Sequence, residues 1–398
     1  MASPERIREL ARDVQTAVDN LTSSYSYANY KALQTSLRRL EVAATDPADT
    51  LFSFRGQLVE NISINMLLEL GILDVLVAAE GAPKTAAELA AATDTTESLV
   101  VRLMRIATGL AFCEETDEFT YRATYMTNAV VSPGYRAGLR WAEAFYPIVP
   151  NIRRFLKETD IRHTGGDPTP TAFEFTHGKK LWEFFEDHPD MRHDFDLWMR
   201  ERKRHEENSW PKRYPPSAAL RASDLKTGPE AVLFVDIGGA TGSQMVAFKN
   251  QFPDLPGRYV LQDIQPPAAE TLGDGVEVMV HDFFQPQPIK GARFYYFRIV
   301  FHNWGDEKVA QIIRNIAEAM DPEYSSLLID EYVLPSRDVQ LRAAVEDMLM
   351  FTVFNSLERT VKQHEKLLAA AGLEITNVYE VGPNEERIVE ARVAKKSA

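Results

Sequence analysis

Cysteine is almost absent: Cys113 is the only one in 398 residues. An internal disulfide is therefore impossible, and so is a cysteine cluster for zinc or iron–sulfur. Cys113 sits in the apolar run Leu110-Ala111-Phe112-Cys113, the setting of a buried thiol. Long hydrophobic runs are missing as well. No stretch of about 18 apolar residues exists, so no transmembrane helix is expected. The charged start, MASPERIRELARDVQ, lacks the apolar core of a secretory leader, and the expectation is a soluble cytosolic protein. Positive charge is also in short supply, with 44 basic against 58 acidic residues and a net charge of −14. Such a surface repels phosphate backbones, which argues against nucleic acid as the main partner. It leaves room for a small ligand in a local site.

What is present reads as a globular chain of two to three domains, at about 150 residues each. Residues 1–50 form a polar helical arm in which Ile7, Leu10, Val14, Val18 and Leu21 recur at helical spacing. Alone such an arm is marginal, and it is expected to pack on another subunit or on its own core. Residues 51–130 suggest a compact helical unit. ENISINMLLELGILDVLVAAEG stops at Gly81, Thr85 and Glu88 fit a capping box, and Thr95 or Thr96 precedes the next helix. The following CEETDEFTYRAT reads as a hairpin. Helix–turn–helix plus hairpin is a winged-helix pattern. Its second helix carries only Arg102 and Arg105 and is otherwise mostly apolar, which favours packing or dimerisation over DNA binding.

Residues 131–215 are helical and aromatic, a linker expected to contribute to a substrate pocket. Trp141, Phe145, Tyr146, Trp182, Phe184, Phe185, Phe195, Trp198 and Met199 recur at helical spacing, and 156–176 reads as a loop holding Gly165, Gly166, Pro168 and Pro170. Residues 216–398 alternate strand-like and helix-like runs, the signature of a parallel sheet wrapped by helices. The last two strands follow each other without a helix, so one is expected to be an antiparallel edge.

The strongest local signal is Phe234-Val235-Asp236-Ile237-Gly238-Gly239-Ala240-Thr241-Gly242, a strand ending in a glycine-rich turn that opens a helix. The spacing is not that of a dinucleotide binder. Asp236 enters the turn where a pyrophosphate site needs only amides, so a cationic or amine-bearing ligand suits it better. Asp263 ends the second strand, 21 residues after Gly242, and can accept hydrogen bonds from ribose hydroxyls. Asp282 and Phe283 end the third, where a carboxylate can accept from an adenine amine and a ring can pack on the base.

With these residues the chain resembles class I S-adenosylmethionine-dependent O-methyltransferases of the plant and fungal, caffeate-like type, nearest their fungal secondary-metabolite branch. The resemblance spans roughly residues 55–395. It implies an α/β fold: a Rossmann-like seven-stranded domain at 216–398 and an N-terminal α-helical winged-helix dimerisation domain, hence a homodimer. It implies that Asp236, Gly238, Gly239, Asp263, Asp282 and Phe283 bind S-adenosylmethionine and that Arg298 lies beside it. Ala240 stands where relatives commonly have a third glycine. Phe301-His302-Asn303-Trp304-Gly305-Asp306-Glu307 resembles the segment whose histidine is the family's general base. Imidazole titrates near ~6.5 and can take a phenol proton as the oxygen attacks the sulfonium methyl, with no metal needed.

Glu331 and Glu358 match the two glutamates that flank that histidine in the family. Asn355-Ser356-Leu357 stands where relatives usually have glycines before the second one. Phe185, Met199, Met350 and Phe351 are candidate pocket residues for an aromatic substrate, with core packing as the rival reading. Two further functions stay open. The first is dehydration or pericyclic ring formation on the same cofactor site, with Arg298 hydrogen-bonding a substrate carbonyl. The second is a non-enzymatic regulatory dimer.

Overall fold

The computed structural model describes residues 2–159, 170–201, 210–214, 220, 224–380 and 386–395. It divides into two compact units, one running to Ala142 and including His193–Glu201, the other made of the remaining described residues.

In the first unit the helices Pro4–Ser23 and Tyr27–Ala44 form a hairpin. Each opens on a serine whose Oγ accepts a backbone N–H, Ser3 from Arg6 and Ser26 from Asn29. The helix Pro47–Glu69 starts on an Asp46 cap. The run expected to continue to Gly81 breaks earlier, because Gly71 takes a left-handed conformation (φ +71°) that restarts the chain as Ile72–Ala78. Thr85 and Glu88 cap Ala86–Ala92 reciprocally, whereas Thr96 heads Glu97–Gly109 without a side-chain cap. Strands β1 (Lys84–Thr85), β2 (Cys113–Asp117) and β3 (Thr120–Ala123) pair antiparallel in the order β1-β3-β2, completing the winged-helix arrangement. Leu67, Ile72, Leu73, Leu76, Leu89, Val100 and Met104 form its core. Cys113 is buried with them, and burial pushes its thiol up to about 12. On Pro47–Glu69 the side chains of Leu51, Phe52, Phe54 and Val59 are exposed.

The second unit is built on β4 (Val232–Ile237), β5 (Arg258–Asp263), β6 (Val276–Val280), β7 (Phe294–Arg298), β8 (Ser326–Leu334), β9 (Arg359–Thr360), β10 (Leu373–Glu380) and β11 (Glu386–Val393). Seven follow the order β10-β11-β8-β7-β4-β5-β6, and short β9 pairs with β8 off that path. The five from β8 to β6 are parallel. The last two strands form the expected antiparallel edge: β10 is outermost and pairs antiparallel with β11, the reversed strand, which is antiparallel to both of its neighbours. Every residue of β4 and β8 is buried, as a sheet covered on both faces requires. Alternate side chains feed two cores. Val235, Tyr295, Phe297 and Ile329 meet the helix Asp306–Ala317 on one face, and Phe234, Tyr296 and Leu328 meet Phe248 and Trp210 on the other. Trp210 stacks on Tyr296 and Phe248 at 4.7 and 5.4 Å. Parallel pairing sets the carboxyl ends of β4 to β8 along one rim of the sheet, the edge where such folds bind ligands.

Candidate active site

The first half of this rim is a turn held together by carboxylates. Gly239 sits where a Cβ would fall 2.4 Å from Leu261 Cδ1 and 2.6 Å from Asp236 Cγ, so only glycine fits. Gly238 and Gly242 carry φ of +68° and +69° beside it. Ala240, in the place of a third glycine, also takes a left-handed conformation (φ +49°). That costs an L-residue roughly 1–2 kcal/mol. Its N–H donates to Asp263 Oδ2 at 3.0 Å, and Asp263 Oδ1 accepts from Gln265 N at 3.0 Å. Asp236 lies buried beneath the turn. Asp282 is half-buried and accepts from Phe284 N at 2.9 Å, while the Phe283 ring lies within van der Waals reach of a Cβ placed on Gly238. Carboxylates at successive strand ends suit a positively charged, hydroxyl-bearing nucleoside better than a pyrophosphate.

The second half is buried charge. β7 leaves the sheet through Ile299, whose φ of +53° is strained for a β-branched residue. That bend turns Phe301–Asn303 into one 3₁₀ turn. Glu331 Oε1, from β8, accepts three successive amides of this bend: Val300 at 3.1 Å, Phe301 at 2.5 Å and His302 at 3.2 Å. Burial pushes the Glu331 carboxyl up to about 7, against the opposing pull of His302 and with help from the Glu358 charge. The His302 ring is buried, and its Nδ1 lies 2.8 Å from Glu358 Oε1. A carboxylate only accepts, so Nδ1–H is the donor and the neutral ring keeps its lone pair on Nε2. Glu358 is itself placed by Asp347, whose Oδ1 accepts the Glu358 N–H at 2.8 Å. The chain reaches it through Asn355, a left-handed residue closing the helix Leu341–Phe354.

Residues 156–374 match the family model of the O-methyltransferase domain, and residues 58–133 match that of the O-methyltransferase dimerisation domain. The chain belongs to the O-methyltransferase family. O-methyltransferase afvC of Aspergillus flavus is 34% identical, over 93% of this chain and 86% of the relative. Demethylsterigmatocystin 6-O-methyltransferase of the same fungus is 30% identical over 97% and 99%. Among solved structures, "A Pericyclic Reaction enzyme" (26% identical, TM-score 0.83) covers 98% of this chain and 100% of its own. A LepI complex with SAM matches at 26% identity and TM-score 0.84, over the same shares. S-adenosylmethionine is the cofactor of this family.

Within this family frame the remaining residues fall into place unevenly. Arg298 is tied down: its Nη1 donates to Asp330 Oδ2 at 2.7 Å, the oxygen that also accepts from Tyr296 Oη at 2.5 Å. Its Nε is buried and has no hydrogen-bond partner among the described residues. Phe185 is buried beside Trp182 and Phe184, and Trp182 meets Phe354 on the helix that carries Met350 and Phe351. Met350 is buried and Phe351 half-buried. Met199 is half-buried and belongs to the first unit. His188 and His193 are exposed. Gly165, Gly166 and Pro168 lie outside the described residues.

Sequence reading missed Arg359, Asp306, Asp347, Asp330 and Tyr296. The signal available was adjacency. Arg359 follows Glu358 directly, Asp306 follows the histidine by four residues and Asp330 precedes Glu331.

Proposed function

We propose that this chain transfers a methyl group from S-adenosylmethionine to a hydroxyl of an aromatic, polyketide-type secondary metabolite, with His302 as general base. The observation that carries the reading is the 2.8 Å bond from His302 Nδ1–H to the buried Glu358 carboxylate. It holds the tautomer whose Nε2 can take a proton, and it places a negative charge where the imidazolium forms. Glu331 fixes the backbone under the ring. The bound cofactor supplies an electrophilic methyl on a sulfonium. Asp263 is assigned to the ribose hydroxyls, Asp282 and Phe283 to the adenine, and Asp236 with Gly238 and Gly239 to the methionine portion. Phe185, Met350 and Phe351, all in the second unit, are assigned to the substrate pocket. The relative demethylsterigmatocystin 6-O-methyltransferase, at 30% identity, supports a hydroxyl of a secondary metabolite as the acceptor. Exposed Leu51, Phe52 and Phe54, just before the matched dimerisation segment, and Val59 within it support a homodimer.

A second reading has its own support. A protein described as a pericyclic reaction enzyme shares this fold at TM-score 0.83, and Arg298 brings a buried cation with an unpartnered Nε to the same rim. On that reading the cofactor keeps its methyl and the chain promotes ring formation or dehydration. Against it, Asp330 already neutralises Arg298.

The test is mass spectrometry with methyl-labelled S-adenosylmethionine and a panel of fungal polyketide phenols and pyridone alcohols. Product carrying the label, with S-adenosylhomocysteine formed, supports methyl transfer. Product of unchanged mass, or lighter by water, with the cofactor intact, replaces it with the second reading.

A further inference from the structure

Arg359 is fully buried, an expensive place for a cation. Its hydrogen bonds explain why it is there. Nη1 donates to Phe301 O at 3.0 Å and Nη2 to Trp304 O at 2.7 Å. Nε and Nη2 both donate to Asp306 Oδ1, at 3.0 and 2.8 Å. All four bonds end on residues 301–306, the segment that carries His302. The Arg359 backbone pairs with Val333 on β8, the strand that also presents Glu331. One peptide bond separates it from Glu358, the partner of the imidazole ring.

We infer that Arg359 is a positioning residue for the base: it locks the His302 segment to the backbone that presents Glu358, and so holds imidazole and carboxylate in register. This deepens the reading of His302 as base and rests on it. Three anchors then meet around one residue. Glu331 takes the amides before the ring, Arg359 takes the carbonyls on either side of it, and Glu358 takes the ring itself. A planar fork with five donors can serve three acceptors at once, which a lysine ammonium on a flexible stem cannot do in the same geometry. The other ionisable groups here leave that role to Arg359. Asp306 balances its charge from a half-exposed position. His364, on the helix Val361–Ala369 that follows, is pushed down to about 3 by burial and then by the Arg359 charge, so it stays neutral. Asp347 is spent on the Glu358 amide.

The test uses the full chain with ¹⁵N-labelled histidine. The His302 ring signal is assigned by its loss in His302→Ala. Wild type is expected to show the Nδ1–H tautomer alone. Arg359→Lys, which keeps the charge but not the fork, is expected to give a mixture of tautomers. Its turnover should fall about 10²-fold, the scale of a roughly 1 Å misplacement. Its affinity for S-adenosylmethionine, read by calorimetry, should stay within about twofold. The acidic limb of its pH–rate profile should move to lower pH, because a misplaced carboxylate stabilises the imidazolium less. Asp306→Asn alters the far end of the clamp at a half-exposed site, and a smaller shift of the same kind is expected there. A wild-type tautomer and pH profile in both variants, whatever happens to melting temperature, would reduce Arg359 to a structural residue and overturn the proposal. Should wild type transfer no methyl to any acceptor, the methyl-transfer reading fails, while the tautomer comparison still decides the role of Arg359.

Discussion

The two halves of the proposed active-site rim are built on opposite principles. At the cofactor half, Asp263 and Asp282 sit half-buried at strand ends and spend oxygens on amides 2 to 23 residues away: Asp263 on Ala240 and Gln265, Asp282 on Phe284. At the base half, Glu331, Glu358 and Arg359 are buried and reach across 29 to 58 residues of chain to touch the His302 segment. The first half is a set of strand-end turns that a ligand completes from outside. The second is a network of long-range bonds that is already closed around one imidazole. Damage should therefore appear as lost cofactor affinity in one half and as lost turnover in the other.

His302→Ala should produce the largest effect, a loss of about 10²–10⁴-fold in methyl transfer, with cofactor affinity kept. Rates within twofold of wild type would remove His302 from the chemistry. Asp263→Ala should act the other way. A lost charge-assisted hydrogen bond costs about 1.5–3 kcal/mol, so cofactor affinity should weaken roughly 10- to 100-fold while turnover at saturating cofactor holds. A drop in turnover without a change in affinity would erase the contrast between the halves.

The smallest effect concerns pH and stability. A carboxyl unfolds to a pKa near ~4.3, and Glu331 is raised to about 7 when folded. Between those values the folded state holds a proton that the unfolded chain has lost, so this group's contribution to stability falls as pH rises through that window. Glu331→Gln keeps an acceptor for the three amides but cannot titrate. Denaturant unfolding at pH 5 and pH 8 should show a flatter dependence in the variant. An identical slope would mean that Glu331 stays ionised in the fold.

The same contrast explains what was readable in the amino-acid sequence. The turn Asp236–Gly242, Asp263 and Asp282 stand at the strand ends where their spacing put them, because each is coded within a few residues of its own strand. His302 and Glu358 were found only through a resemblance, although their pairing in the structure is direct. The fourfold grip of Arg359 was invisible, since an arginine in Ser356-Leu357-Glu358-Arg359-Thr360 looks like any surface cation until the loop meets the turn. The bend at Ile299 was equally hidden. No propensity places a β-branched residue at φ +53°; only the anchors around it do. Gly71 escaped for another reason: it is a glycine inside an apolar run, where the periodicity continues through the left-handed turn that ends one helix and opens the next.

The reversed strand has a consequence for how the molecule is made. β8 ends at Leu334, yet the neighbour that covers its open side, β11, begins only at Glu386. During synthesis at about 5–20 residues per second, several seconds pass in which nine apolar-rich residues of a completed strand present unpaired amides and carbonyls to any passing chain. The helices Leu341–Phe354 and Val361–Ala369 emerge in that interval, before the strand that completes the sheet. Ribosome-stalled chains in which β8 has cleared the exit tunnel while β11 is still inside it should accordingly be the ones that chaperones hold longest.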